Sequence, residues 1–169
     1  MILTVKSLSA QLEIPKFSED MEIISHRGFT LSYSEEHEQP WWVAYELDIN
    51  KLSGSIKRSN RFRIDPKVVK GSANLSDYKK SGFDRGHLAP AADMKWSKVA
   101  MDDSFLMSNI SPQVPGFNRG IWKKLESVVR QWTNDNEKIY VVTGPVLINK
   151  YSTIGSNNVS VPNFFYKVI

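Results

Sequence analysis

Ser81-Gly-Phe-Asp-Arg-Gly-His-Leu-Ala-Pro-Ala-Ala-Asp-Met94 is the stretch on which the reading of this chain turns. Its centre, Asp84-Arg-Gly-His87, closes an apolar approach and sets a proton acceptor beside a cation. In an extended segment side chains alternate between faces, so Arg85 and His87 share one side and Asp84 takes the other. The pair suits a phosphate diester. An imidazole takes a proton from water near neutral pH, and a guanidinium forks onto non-bridging phosphate oxygens. Gly86 leaves the backbone bare between them, which lets a bulky substrate come close. Asp84, on the opposite face, is expected to tie down backbone or an arginine.

Charge is distributed unevenly around this stretch. The chain carries +4 overall, yet residues 1–50 hold a net −6, residues 51–90 a net +7 and the remainder +3. The basic block contains the motif. Lys57, Arg58, Arg61, Arg63, Lys67, Lys70, Lys79 and Lys80 would raise a positive potential around His87 and draw in a polyanion in a salt-dependent way. A solvated face is the ordinary alternative for such a block.

With 169 residues, 41% of them apolar, the chain is expected to form a single domain spanning residues 1–169. It has no internal repeat, no low-complexity run and no apolar stretch near bilayer length, so no membrane partner is expected. The absence of cysteine excludes disulfides and thiolate zinc sites. Met1-Ile-Leu-Thr-Val5 is too short for a secretory core.

Two β-rich runs, Gly28 to Tyr33 and Trp41 to Leu47, flank the polar Ser34 to Pro40 and read as an antiparallel pair joined by a loop. Gly82 to Leu88 reads as a strand, Ala91 to Asp102 as helical, and Phe105 to Ile110 as a second strand before the breaker Pro112. From Arg119 to Trp132, the residues Ile121, Trp122, Leu125, Val128, Val129 and Trp132 recur at helical spacing and predict one apolar face. Lys138 to Thr143 and Asn158 to Ile169 read as later strands, with Gly155 to Asn158 as a turn. Trp122 and Trp132 are expected in the core, while Trp41, Trp42 and Trp96 are available to stack on bases. His26 and His37 lie in polar surroundings and are expected at the surface.

The motif is followed in order by Ala100-Met-Asp-Asp-Ser-Phe105, Met107-Ser-Asn-Ile-Ser-Pro-Gln113, Asn118 and Trp122. Together with Trp42-Val-Ala-Tyr-Glu-Leu47, Thr143-Gly-Pro145 and Val161-Pro-Asn-Phe-Phe165, these resemble the DNA/RNA non-specific endonucleases. The likeness covers nearly the whole chain beyond the first two dozen residues.

That resemblance implies an α+β fold: a central antiparallel sheet with flanking helices, containing a ββα-metal core over residues 82 to 132. It implies His87 as general base, and Arg85, Asn109, Glu126 and Arg58 as further catalytic residues. Arg61, Arg63 and Arg85 would bind substrate, and Arg58 and Arg61 compete for one phosphate contact. Asn118 would bind a single Mg²⁺ directly, with Mn²⁺ as a substitute, and otherwise would be a helix cap. Glu126 lies about 80° around and about 12 Å along the helix from Asn118, which suits a contact through water. Without the resemblance it would be an exposed glutamate pairing with Lys123 or Arg130.

The implied activity is hydrolysis of DNA and RNA to 5′-phosphate and 3′-hydroxyl ends. A silent nucleic-acid-binding module and a phosphodiesterase for small nucleotides are the alternatives. DNA and RNA are the implied partners, with room for a homodimer and a proteinaceous inhibitor. Family members usually continue for some tens of residues past the strand matching Val161 to Ile169, so the chain is expected to lack that portion.

Overall fold

β-branched and aromatic residues set the sheet. In this computed structural model, which describes residues 14–16, 21–147 and 152–169, the strands are β1 (Glu22–Ser25), β2 (Thr30–Ser34), β3 (Gln39–Asp48), β4 (Asp84–His87), β5 (Ile110–Gln113), β6 (Lys138–Pro145), β7 (Thr153–Ile154), β8 (Val159–Ser160) and β9 (Phe165–Val168). Met1–Val5 lies outside the described residues. A five-stranded sheet runs in the order β1-β2-β3-β6-β9 with every neighbouring pair antiparallel. The β2–β3 pair is the one expected, and the edge strand β1 adds to it. Leu31, Val43, Leu47 and Val141 are fully buried on this sheet, packed with Leu88, Met94 and Val129 from the other side of the core.

The motif strand β4 pairs with β5 in a separate two-stranded sheet, in the register Asp84↔Gln113, Arg85↔Pro112, Gly86↔Ser111 and His87↔Ile110. The second strand was expected over Phe105 to Ile110, ending before Pro112. Instead Met107–Asn109 forms a 3₁₀ turn and the strand begins at Ile110, with Pro112 inside it. Because β5 pairs with β4 alone, the amide hydrogen that Pro112 lacks is not needed on its other edge. Ala91 to Asp102 divides into a 3₁₀ turn at Ala91–Met94 and a helix at Lys98–Asp103 that Ser97 caps.

The long helix also departs from its apolar pattern. A short turn at Pro115–Phe117 leads through a wide π turn at Asn118–Trp122, where Gly120 leaves helical geometry at φ −99° and ψ −107°, into the helix Lys123–Asn136. Ile121 is 62% exposed and Trp132 43% exposed, whereas Trp122 and Val129 are buried. The inward stripe runs Trp122, Glu126, Val129, Thr133, so it carries a carboxylate where the pattern of Leu125 and Trp132 would have placed an apolar seam. The expected terminal strand is likewise divided, into β8 and β9, around Pro162, while the Gly155 to Asn158 turn forms as read. The result is an α+β fold with a central antiparallel sheet, flanking helices and a ββα unit made of β4, β5 and the Lys123–Asn136 helix. No helix of the described residues is long and apolar enough to cross a membrane.

Candidate active site

Arg85 and His87, two apart on β4, line one cleft of about 450 Å³ together with Arg58, Asn118, Glu126 and Arg130. The imidazole of His87 is gripped by two rings. It meets Phe105 edge-on with centroids 4.9 Å apart and Phe62 at a tilt with centroids 5.4 Å apart. The same rings carry the cations: the Arg85 guanidinium lies 4.3 Å over Phe62 and that of Arg58 lies 4.9 Å over Phe105. Two phenylalanines thus fix three functional side chains. Phe62 was legible only as an aromatic between Arg61 and Arg63.

His87 Nε2 is buried and has no hydrogen-bond partner among the described residues. Burial, followed by repulsion from Arg58 and Arg85, pushes the pKa of His87 down to about 3, so the ring is neutral at physiological pH and can accept a proton. Trp122 Nε1 donates to the His87 carbonyl at 3.4 Å, tying the strand to the helix. Asn109, expected beside the cleft, is fully buried instead. Its Nδ2 donates to the carbonyls of Ala89 and Ser104, both at 2.9 Å, while its Oδ1 accepts from the Ala89 amide at 2.9 Å. Those bonds clamp the segment immediately after His87.

Gly86 has a close neighbour on the facing strand. A Cβ at this position would lie 2.2 Å from Gln113 Cδ, because the Gln113 side chain packs against the bare backbone. A larger residue at this position would have to displace the Gln113 side chain of the facing strand.

Of the competing arginines, Arg58 lines the cleft. Arg61 turns away, donating to Asp102 Oδ1 at 3.0 Å, and Arg63 donates to the Asp102 carbonyl at 2.6 Å while lying 3.8 Å from Asp103. The remaining basic run disperses as well, with Lys67 Nζ bound to the Ser25 carbonyl at 2.5 Å. Neither Arg58 nor Arg85 makes an ion pair among the described residues.

Asn118 is not an N-terminal cap. It sits inside the π turn, and its Nδ2 donates to Asp84 Oδ2 at 2.9 Å. Arg119 grips the same carboxylate through Nε at 2.8 Å and Nη2 at 2.6 Å, holding Asp84 below the usual carboxylate range. A carboxylate only accepts, so the Asn118 NH₂ is committed to Asp84 and its carbonyl oxygen is left without a partner among the described residues. Asp84 therefore ties down an arginine, as expected, and orients Asn118 besides.

Glu126 lines the cleft without a hydrogen bond among the described residues, and burial raises its pKa. The pairing with Arg130 does not occur, because Arg130 Nη1 donates to the buried Asp93 at 2.8 Å, a carboxylate that also accepts from Tyr45 at 3.0 Å. Behind Glu126, Lys167 Nζ is buried with no hydrogen bond among the described residues, 4.8 Å over the Trp122 ring.

Among the described residues no group of three or more His, Cys, Asp or Glu gathers to hold a metal. Besides His87, which the two guanidiniums flank, the donors that line the cleft among the described residues are one oriented amide oxygen and one carboxylate. This sparse oxygen pair fits a hard divalent cation that keeps most of its water.

The two remaining histidines are not surface residues. The His26 side chain is 3% exposed and its Nε2 lies 2.8 Å from Asp65 Oδ2; His37 is buried with Nδ1 2.9 Å from Ser160 Oγ. Their partners, Asp65 and Ser160, come from far along the chain.

A family profile described as DNA/RNA non-specific endonuclease matches residues 8–169. The chain is 39% identical over 160 residues to human mitochondrial Endonuclease G, covering 88% of this chain and 54% of that protein. It is 38% identical over 164 residues to the mitochondrial nuclease of Saccharomyces cerevisiae, covering 88% and 50%, and 36% identical over 162 residues to Nuclease C1 of Cunninghamella echinulata, covering 88% and 64%. The chain thus spans about half the length of the first two, and somewhat more of the third. Among solved structures, an EndoG/EndoGI complex aligns with a TM-score of 0.80 at 35% identity, over 86% of this chain and 65% of that one.

Proposed function

Because the chain belongs to the DNA/RNA non-specific endonuclease family, whose members are metal-dependent nucleases, we propose that it hydrolyses phosphodiester bonds in DNA and RNA, leaving 5′-phosphate and 3′-hydroxyl ends. One observation carries this reading: among the described residues, His87, whose buried Nε2 has no partner, lines the same cleft as two guanidiniums without ion pairs. Residues 1–169 would act as a single nuclease domain. Nucleic acid is the proposed partner, and by likeness to the EndoG/EndoGI complex a proteinaceous inhibitor is another. A homodimer is proposed on family grounds alone.

In the proposed mechanism, the phosphate seats between Arg58 and Arg85, which offset charge growing on its non-bridging oxygens. Its own negative charge in turn cancels part of the repulsion that depresses His87, so the imidazole becomes more basic as substrate arrives. His87 Nε2 then takes a proton from the attacking water, whose oxygen bonds to phosphorus as the bond to the 3′ oxygen breaks. The departing 3′ oxygen takes a proton from water. Asn118, oriented by Asp84, would hold magnesium through Oδ1, with Glu126 reaching it through water and manganese as a substitute. Bound there, the ion would supply charge stabilisation at the crowded phosphorus and the leaving oxygen. Contacts at the scissile phosphate itself carry no base information, which would favour low sequence preference and acceptance of both sugars.

The test is degradation of plasmid and of RNA by the parent and by His87→Ala, with Mg²⁺ and with EDTA. Cutting that requires Mg²⁺ and is lost in the variant is expected. A parent that retards plasmid in a gel without cutting it would make the protein a binding module, and undiminished cutting by His87→Ala would remove the assigned base.

A further inference from the structure

A second groove of about 330 Å³ adjoins the catalytic cleft, and Arg85 lines both. We propose that this groove seats the nucleotide next to the scissile linkage, with Lys79 on its phosphate and Leu75 and Phe83 against its sugar and base. The inference rests on the hydrolase reading and adds to it a subsite outside the catalytic residues.

Three features support it. The walls are apolar and exposed in a place where cations surround them: Leu75 is 44% exposed at the start of the Leu75–Tyr78 helix, and Phe83 is half-buried, its ring braced on the cluster of Tyr78, Met107 and Ile110. A flat, fixed aromatic beside a basic side chain is the combination that binds single-stranded nucleic acid, through stacking and phosphate contact together.

The charge on this groove is available to a ligand. Lys79 is exposed and pairs with no carboxylate among the described residues. The one carboxylate lining the groove, Asp84, is already held by Arg119 at 2.6 Å and by Asn118 at 2.9 Å, so its repulsion towards a polyanion is offset.

The turn that presents these side chains is built in advance. Asn74 and Asp77 form a capping box on the Leu75–Tyr78 helix, Ser81 Oγ donates to the Tyr78 carbonyl at 2.9 Å, and the Phe83 amide donates to Ser81 Oγ at 3.2 Å. Lys80 at φ 59° and Gly82 at φ 86° close it in the left-handed region. Little ordering is left for the nucleotide to impose.

The test is fluorescence anisotropy of a labelled single-stranded 12-mer in EDTA, read from 50 to 200 mM KCl. Removing one phosphate contact from a single strand lowers the slope of log Kd against log salt by about 0.7. Lys79→Gln is expected to show that loss and severalfold weaker binding, whereas Lys70→Gln, an equal charge change outside both grooves, keeps the parent slope. Leu75→Ser should weaken binding by about threefold at unchanged slope. With Mg²⁺, hydrolysis of bis(p-nitrophenyl) phosphate, which has no neighbouring nucleotide, should be the same for parent, Lys79→Gln and Leu75→Ser. A Lys79→Gln slope equal to that of Lys70→Gln overturns the subsite, even if cutting is intact. A parent that binds with the expected slopes but never cuts fails the hydrolase reading alone.

Discussion

His87 and His26 are both imidazoles nearly closed off from solvent, and their surroundings are opposite in kind. His26 Nε2 meets Asp65, and the same carboxylate accepts from Ser108 Oγ and from the Lys67 amide at 2.9 Å. Burial alone would raise the Asp65 pKa, but the hydrogen bonds from His26, Ser108 and Lys67 outweigh it and hold the carboxyl below its ordinary range. His87 has aromatic edges, two guanidiniums and an unpartnered nitrogen. A saturated imidazole serves as a brace; an unsatisfied one keeps its lone pair for a substrate.

The strongest way to break this comparison is activity. His87→Asn should lower kcat/KM for a duplex by about 10²–10⁴-fold, the scale of a lost general base. His26→Asn should stay within about threefold, once equal amounts of folded protein are compared. Equal losses would mean that the two sites do not differ in the way described.

Stability should reverse the order. Taking the imidazole from His26 leaves Asp65, which is fully buried, short of one partner, a change that costs about 2–4 kcal/mol. Urea unfolding at pH 7 should show that loss in His26→Asn and a smaller one in His87→Asn, whose ring satisfies nothing at Nε2. A His87 variant that unfolds as readily as the His26 variant would make His87 a structural residue.

A pair of arginines sharpens the same contrast. Arg58 belongs to the unsatisfied region and Arg61 to the saturated one, where Asp102 takes it at 3.0 Å. Arg58→Gln should lower kcat/KM by about 10–100-fold, and by removing a cation it should raise the His87 pKa and move the acid limb of the pH profile upward. Arg61→Gln should change kcat/KM by less than about threefold, since an exposed ion pair contributes under about 1 kcal/mol. A larger effect from Arg61 would put the phosphate contact on the other arginine.

Much of this was legible in the order of residues, and the exceptions have a common cause. The period of two across Asp84 to His87 set Arg85 and His87 on one face, and the β2–β3 pair followed from apolar runs parted by a polar loop. Asn118 stood at the front of the helix as read, although the turn around it is of the wide π kind. What local pattern could not show is decided by partners distant in sequence. Gln113, 27 residues on, packs against Gly86; Asp102, 41 residues away, decides between Arg58 and Arg61; Phe105 completes a cage that Phe62 begins. Glu126 falls between the buried Trp122 and Val129 on one helix face, and what it faces there is set by the cleft partners Arg58 and His87 from other parts of the chain.

The smallest effect isolates the electrostatics of His87 from its chemistry. Its pKa is pushed from an ordinary 6.5 down to about 3, so below about pH 6.5 the unfolded chain binds a proton at this position that the folded chain refuses until about pH 3. Stability is therefore whole above pH 6.5 and falls with acidity across that window, by about 1.4 kcal/mol per pH unit at most, or about 2 kcal/mol by pH 5. Carboxylates held low, Asp65 and Asp84 among them, add losses only nearer their unfolded range and do so in parent and variant alike. His37, lowered by burial, adds a similar term to both. Subtracting the urea stability of His87→Asn from that of the parent at pH 7 and again at pH 5, both in EDTA, should thus leave a difference of about 2 kcal/mol against the parent at the lower pH. If the two proteins lose stability in parallel, His87 takes up its proton as easily when folded as when unfolded, and burial with two guanidiniums does not hold it neutral.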